Sequence, residues 1–542
     1  MVGSRSISAR SKRLLPVQKT PASDLGANSI IHHRRAFILV VSHTIQIVWF
    51  KRDLRTLDHT ALSNACKSGP VLPLFLLERR MLRAPDCSSL HWNFISEALN
   101  ELRDSLRKMG LPLLVLNEDV VSAFTHLLSA YGKIVIHCHE ETGNAISFER
   151  DRCLRNWTRE QGIELIEYPQ NGVIRGLRNR DGWSRKWNER MNAQIIPIPK
   201  STKAPDLRIT GVSLPSSTDL KINQEFGYEN KLFGGEKAAH ELLDSFLETR
   251  SKGYEKLMSS PISAPHHCSR LSPYLAWGCI SSKVVVQATR ARVAELKAEK
   301  GGLSSEGPRP RSLTSFLSRM HWRCHFTQKL EMEPQIEFSC FNRSLDNLRS
   351  GTPNANLLEA WRSGQTGYPF VDACMRYLRA HGWINFRMRA MLVSFAAYDL
   401  WLDWRLIKDF LAQTFIDYEP GIHISQLQMQ SGTTGINTLR IYNPVKQGMD
   451  HDPKATFIRQ WVPEVARLSI SEIHDWGTDN FLRPTVDYPH PIVDHAEAVR
   501  LARQRFREIR TNANYKSDSE KVRQLHGSCK RATNRPRKPA RR

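Results

Sequence analysis

Between residues 44 and 169 the apolar positions come in short unbroken runs separated by polar turns. IQIVWF (45–50), VLPLFLLE (71–78), LPLLVL (111–116), KIVIHC (133–138) and ELIEYP (164–169) each have the length and composition of a buried strand. Residues 91–109 and 147–161 instead carry apolar residues at helical spacing. Strands alternating with helices predict a parallel, Rossmann-like α/β domain over residues 43–175. Ligands of such sheets bind at the carboxyl ends of the strands. Lys51, Arg52, Asp53 and Arg55 follow the first run and so stand at a candidate ligand rim. There is no GxGxxG, which argues against an ordinary NAD domain.

The pattern then changes. Residues 176–235 are rich in Pro, Ser, Asn and Lys, with weak periodicity, and read as an interdomain linker. From 236 to 505 helical spacing dominates, which predicts an all-α domain; the loop GLSSEGPRPRS (302–312) separates two of its helices. Residues 1–42 and 506–542 read as basic tails. No repeat is apparent, and no apolar run approaches the roughly 20 residues of a membrane span.

Within the helical half, Gly367 to His423 breaks the usual division of polar and apolar faces. Arg376, Arg387, Arg389, Asp399, Asp403, Trp383, Trp401 and Trp404 recur among Val, Leu, Met, Ala and Phe. Buried charge is costly unless it is paired or coordinated. Either these charges lie on solvated faces, or the helices enclose a large polar ligand.

Net charge sharpens the choice of partner. The formal charge is +24. Residues 1–40 hold seven Lys/Arg against Asp24, and residues 521–542 hold nine with no acid, so the body itself keeps about +9. A basic body with basic tails favours a polyanion, nucleic acid first. Ten scattered cysteines without a CxxC point away from structural zinc and secreted disulfides, towards a reducing, cytoplasmic compartment. The Arg/Ser-rich start fits a targeting peptide and a disordered arm equally well.

Several groups carry candidate chemistry. Ser269, Arg270 and Ser272 precede a helix that Pro273 can open, so hydroxyls, a guanidinium and free backbone N–H groups converge on an anion site suited to a diphosphate. Trp322 and Arg323 are adjacent and face different ways; Arg319 and Arg323 are i,i+4 and share a face, which calls for an anion or water. Asp417 and Glu419 sit in a loop within reach of Arg387 or Arg389. Trp401 and Trp404, i,i+3 on one expected helix, can lie together and pass an electron near a redox cofactor. His266 and His267 have no partner cluster, so no metal is expected. GxSxG, Walker A and HExxH are all missing.

Taken together these segments resemble the photolyase and cryptochrome family from about Ile45 to Phe506. The likeness is carried by VWFKRDLR (48–55), SRLSPYLAWG (269–278), HWR (321–323), GYPFVDACMR (367–376), WINFRMR (383–389) and DLWLDWR (399–405), with IYNPVKQG (441–448) and FIRQWVPEV (457–465) adding to it. It implies an antenna-type α/β domain and a helical domain holding FAD, which in light splits pyrimidine dimers in DNA. Carried over residue by residue, it assigns cofactor contacts to Tyr254, Ser269, Arg270, Leu271, Ser272, Arg323, Phe386, Arg389, Asp417 and Glu419. Arg389 and Asp417 take the places of the pair beside the flavin ring. Trp322, Met429 and His423 take reaction-side positions. Trp322, Arg319 and Arg387 would meet DNA, and Trp404 and Trp401 would carry electrons.

The departures are specific. His423 stands where an Asn usually faces the flavin N5 edge, and a histidine there would titrate near neutrality. Leu427 and Gly351 replace two members of the usual tryptophan triad, leaving Trp404. Phe386 replaces an Asn, Arg319 a Glu, Ala390 a Met and Met429 a Trp. With no cysteine between 375 and 528, the iron–sulfur branch is not expected. Beside the cyclobutane-dimer enzyme stand a (6-4) photolyase and a cryptochrome-like photoreceptor. The antenna pocket would hold a folate, a deazaflavin, a second flavin or nothing, and a monomer without a membrane is expected.

Overall fold

The computed structural model describes residues 44–222, 232–298, 307–477 and 486–527. The expected tail over 1–42 and the last residues of the other tail lie outside these.

Five parallel strands form the sheet: β1 (Ile45–Phe50), β2 (Val71–Leu76), β3 (Leu114–Leu116), β4 (Ile134–His139) and β5 (Glu164–Tyr168), in the order β3-β2-β1-β4-β5. Gln46 pairs with Val71 on one side of β1 and with Val135 on the other. Alternation along β1 sends Ile47 and Trp49 to one face and Val48 and Phe50 to the other. Both faces are covered, so every β1 residue is buried. The strand order reverses between β1 and β4, which leaves a crevice at their carboxyl ends.

One apolar core runs from Val48 and Phe50 into the helical region through Tyr254, Leu271, Phe316 and Trp383. A second, built on Met388, Met391, Trp404 and Phe506, fills the helical region itself. The helices Pro310–Met332 and Pro420–Gln430 approach closely at Gly421, where a Cβ would lie 2.6 Å from the Thr327 Cα. No described helix is long and apolar enough to cross a membrane.

Two segments differ from the sequence reading. The linker contains a helix, Trp183–Asn192, which buries Trp183, Trp187 and Met191. The tail from 506 is helical through His526: one helix, His495–Thr511, crosses residue 505, and a second spans Ala513–His526. Dense charge hides a narrow apolar stripe there. Phe506, Tyr515 and Val522 are buried against the helical core.

Candidate functional site

The anion cradle is built by a strained loop. Arg270 has φ +60°, a left-handed conformation that costs a non-glycine residue roughly 1–3 kcal/mol. Arg250 holds this loop by donating to the carbonyls of Leu242 (2.7 Å), Cys268 (2.5 Å) and Ser269 (3.2 Å). The Arg270 guanidinium lies 4.0 Å over the Trp383 ring, and its buried Nε has no partner. Leu271 is buried, and Ser272–Ala276 forms a short helix with proline in its first turn. Tyr254 packs edge-on against Phe246 (5.6 Å) and Phe316 (6.1 Å). Burial raises its hydroxyl pKa, while Arg319 works against that.

Arg389 is the second anchor. It donates from Nη1 and Nη2 to the two oxygens of Asp417 at 2.9 and 3.0 Å, and from Nε to the Ile384 carbonyl at 2.7 Å. Its face lies 4.2 Å over Phe415. Burial opposes ionisation of Asp417, but Arg389 and the Ser272 hydroxyl outweigh it and hold the pKa below the ordinary carboxylate value.

Arg319 and Arg323 avoid each other by pointing apart. Arg319 lies 4.5 Å over Trp322, whereas Arg323 donates to the Leu275 carbonyl (2.8 Å) and pairs with Glu419. The Arg323–Glu419 pair forms part of a polar interdomain cleft of about 340 Å³, which Arg52, Arg55 and Gln170 also line. Trp322 is 47% exposed and Phe386 52% exposed; Arg387 is also exposed and Met429 half-buried. Phe386 is not enclosed by the protein.

Two expectations are corrected. His423 turns onto the helix Trp404–Thr414, where Nε2 meets the Lys408 carbonyl at 2.8 Å and the ring lies edge-on to Tyr418. Burial depresses its pKa to about 4, so it does not titrate near neutrality. Trp401 and Trp404 do not share a helix: the helix begins at Trp404, and Trp401 precedes it at φ +53°. The Trp401 ring has Arg349 at 4.7 Å and Arg505 at 4.4 Å. Neighbouring cations make an indole radical cation costly, whereas fully buried Trp404 has, among the described residues, only Arg405 over its ring, at 5.0 Å.

The other charges of Gly367–His423 are largely matched within the protein. Arg376 pairs with Glu464 (2.9 Å), Asp403 with Arg405 (3.0 Å), and Asp399 with His495.

A second cavity, of about 910 Å³, opens at the carboxyl ends of β1 and β2. Trp49, Phe75, Trp92, Ile95 and Trp277 supply apolar walls. Its floor is a buried charge network: Lys51 to Asp151 (2.9 Å), and Arg150 to Asp151 (2.8 Å), Glu78 (3.1 Å) and Glu141 (3.1 Å). Of the predicted rim, Lys51 and Arg52 line this cavity, while Asp53 turns to His139 (2.7 Å) and His59 (3.1 Å) and Arg55 to the Gly278 carbonyl (3.0 Å). Asp53, His59 and His139 gather ligand-type atoms that the sequence reading missed; His139 Nδ1 hydrogen-bonds Asp53, whereas His59 Nε2, 3.1 Å from that carboxylate, has no hydrogen-bond partner. Glu78, Glu141, Arg150 and Asp151 were missed too; a charged Arg150–Asp151 pair inside an amphipathic helix was the available signal.

The family model described as the FAD binding domain of DNA photolyase matches residues 316–508, and the DNA photolyase model matches 46–176. The deoxyribodipyrimidine photo-lyase of Escherichia coli K12 is 29% identical over 491 residues, covering 84% of this chain and 97% of that protein. Cryptochrome-1 of Sinapis alba is 30% identical over 463 residues, covering 79% and 87%. Among solved structures, a bacterial class III photolyase from Agrobacterium tumefaciens superposes with TM-score 0.73 at 25% identity, over 88% of this chain and all of that one. An archaeal photolyase from Sulfolobus tokodaii with two FAD molecules gives TM-score 0.70 at 27% identity, over 86% and 100%. With the parallel antenna-type sheet, the helical half and both family models in agreement, this chain belongs to the photolyase/cryptochrome family.

Proposed function

We propose that this chain is a light-dependent DNA photolyase that splits cyclobutane pyrimidine dimers with reduced FAD. The observation that carries the reading is the bidentate Arg389–Asp417 pair, which stands close enough to Arg270 to act on its charge. Arg270 brings a partnerless buried Nε to the cradle, and Asn385 has an unpaired buried Oδ1. That donor set suits a diphosphate at one end and a polar ring edge at the other, so the residues fit FAD. When bound, the reduced flavin supplies the electron that opens the dimer.

The chain's own residues then have distinct tasks. Arg270, Ser269 and Ser272 bind the diphosphate, with Tyr254 and Leu271 packed beneath. Arg389 presents a fixed positive charge that stabilises an anionic ring, and Asp417 keeps that guanidinium oriented. Arg323 and Glu419 close the cofactor region from the interdomain side. Trp322 offers an exposed stacking surface to a base out of the duplex, with Met429 beside it, and Arg319 and Arg387 meet phosphates. A heteroaromatic antenna chromophore, a folate or a deazaflavin, occupies the 910 Å³ cavity over β1 and β2.

A cryptochrome-like photoreceptor is the second reading, favoured by the 30% identity to cryptochrome-1 of Sinapis alba. Illuminating the FAD-loaded protein with DNA carrying a cyclobutane or a (6-4) lesion separates the readings. Light-only restoration of the cyclobutane lesion is expected. Restoration of the (6-4) lesion alone reassigns the substrate, and bound flavin with no repair of either supports the photoreceptor.

A further inference from the structure

A group of basic side chains lies away from the flavin and DNA-facing residues, where the linker, the helix Pro310–Met332 and the C-terminal helix meet. Lys329 is only 6% exposed, and its ammonium has rings for neighbours: Phe341 at 5.3 Å and Phe326 at 5.7 Å. Among the described residues no hydrogen bond or ion pair reaches it. Arg180, also 6% exposed, lies 4.3 Å over Trp183 and donates to Nδ1 of His325. Because Arg180 can only donate, Nδ1 of His325 accepts, and its Nε2–H remains as a further donor. His526 adds an imidazole from the C-terminal helix, edge-on to Phe341 at 5.0 Å, with a buried Nδ1 that has no partner.

Of the acids nearby, Glu333 holds Arg343 (2.7 Å) and His526 (2.6 Å), while Glu331 stands 3.9 Å from Arg175 and keeps a buried Oε2 without a partner. Burial and Arg180 depress Lys329 to about 8, and burial with the surrounding cations pushes His325 to about 2; among the described residues no carboxylate acts on Lys329 or Arg180. Two buried cations without an anion are strongly unfavourable, and a bound counter-ion relieves them. A tetrahedral oxyanion suits the set, since a guanidinium fork and an ammonium match its several acceptors. Arg180 and His526 lie outside the stretches matched by the two family models, residues 46–176 and 316–508.

We propose that Arg180, His325 and Lys329 form a phosphate-binding site, which takes the ion free or carried on a nucleotide.

The test uses the full-length, FAD-loaded protein in the dark. Inorganic phosphate and AMP are titrated calorimetrically at constant ionic strength, with chloride as the balancing salt, and melting is followed in parallel. One saturable phosphate site per chain is expected, with a higher melting temperature in phosphate than in chloride. Lys329→Met and Arg180→Gln should each weaken binding at least tenfold. Lys329→Met, which removes an uncompensated buried charge, should melt above the parent chain in phosphate-free buffer and lose the phosphate response. Binding of both probes supports a site open to nucleotides, and binding of phosphate alone supports the free ion. No saturable binding of either probe, or unchanged binding in both variants, overturns the proposal.

Discussion

Arg389 grips Asp417 through both carboxylate oxygens, at 2.9 and 3.0 Å, across the loop that ends the helix Trp404–Thr414. The pair is buried on its acidic side, with Asp417 at 5% side-chain exposure and Arg389 at 22%. Cutting such a pair leaves a desolvated charge without its partner, at a cost of about 3–5 kcal/mol. Arg389→Leu is therefore expected to strip FAD from the purified protein and to lower its stability by an amount of that order. Asp417→Asn keeps the shape and some hydrogen bonding, so it should retain folded protein with a lower flavin content. The flavin-to-protein absorbance ratio and urea titration read both; unchanged flavin content in Arg389→Leu would contradict the assigned role.

The two tryptophans of the expected relay should separate experimentally. A unit charge about 4.5 Å away raises the energy of an indole radical cation by roughly 3–4 kcal/mol at an effective dielectric of about 20. Trp401 has two such neighbours, although exposed Arg505 is more strongly screened. Trp401→Phe should leave the rate of light-driven flavin reduction within twofold of the parent chain. Trp404→Phe should slow it about tenfold or more, a difference of roughly 1.4 kcal/mol in barrier. Bleaching of the flavin band under steady blue light with an external reductant reports both. Equal slowing in the two variants would restore Trp401 to the relay.

Much of this arrangement was legible in the chain. The five strands follow from runs of apolar residues that only a doubly covered sheet tolerates, and Pro273 marked the short helix beside the cradle. What was not legible depended on side-chain direction. His423 lies one position after Ile422 in the helix Pro420–Gln430, a rotation of about 100° that turns the imidazole to the Lys408 carbonyl. An ungapped count along the chain cannot register that rotation. Trp401 and Trp404 were separated by a left-handed residue that i,i+3 spacing conceals. The C-terminal helices were obscured by charge density: Arg503, Arg505 and Arg507 surround the single buried ring of Phe506.

Acid should weaken the fold earlier than carboxylate titration alone implies. Burial depresses His91 and His423 to about 4, where each ring meets a backbone carbonyl through Nε2. Their ordinary value is about 6.5, so below it the unfolded chain takes up protons that the folded chain refuses. Stability is therefore fully present above pH 6.5 and falls as pH drops towards 4. At pH 5 the loss is about 2 kcal/mol for each imidazole. Urea midpoints at pH 7 and pH 5 measure it, and His91→Gln should flatten the slope. A midpoint unchanged between those pH values would mean that the rings are solvated in the folded state.

The cavity over β1 and β2, in which we propose a second chromophore, offers a change outside the Arg270 cradle and the Arg389–Asp417 pair. Ile95 lines the 910 Å³ space, and neither Arg270 nor the Arg389–Asp417 pair lines it. Ile95→Trp adds ring volume to that space, in competition with a bound heteroaromatic chromophore. Overpacking a filled core typically costs about 1–3 kcal/mol, but an open cavity accepts the larger side chain at less cost. The purified variant should keep its FAD and its repair rate per absorbed flavin photon. Any near-ultraviolet or blue absorption beyond that of flavin should disappear, together with the added repair rate at those wavelengths. An action spectrum recorded for the parent chain and the variant decides the matter: if the extra band persists unchanged in Ile95→Trp, the chromophore is held elsewhere.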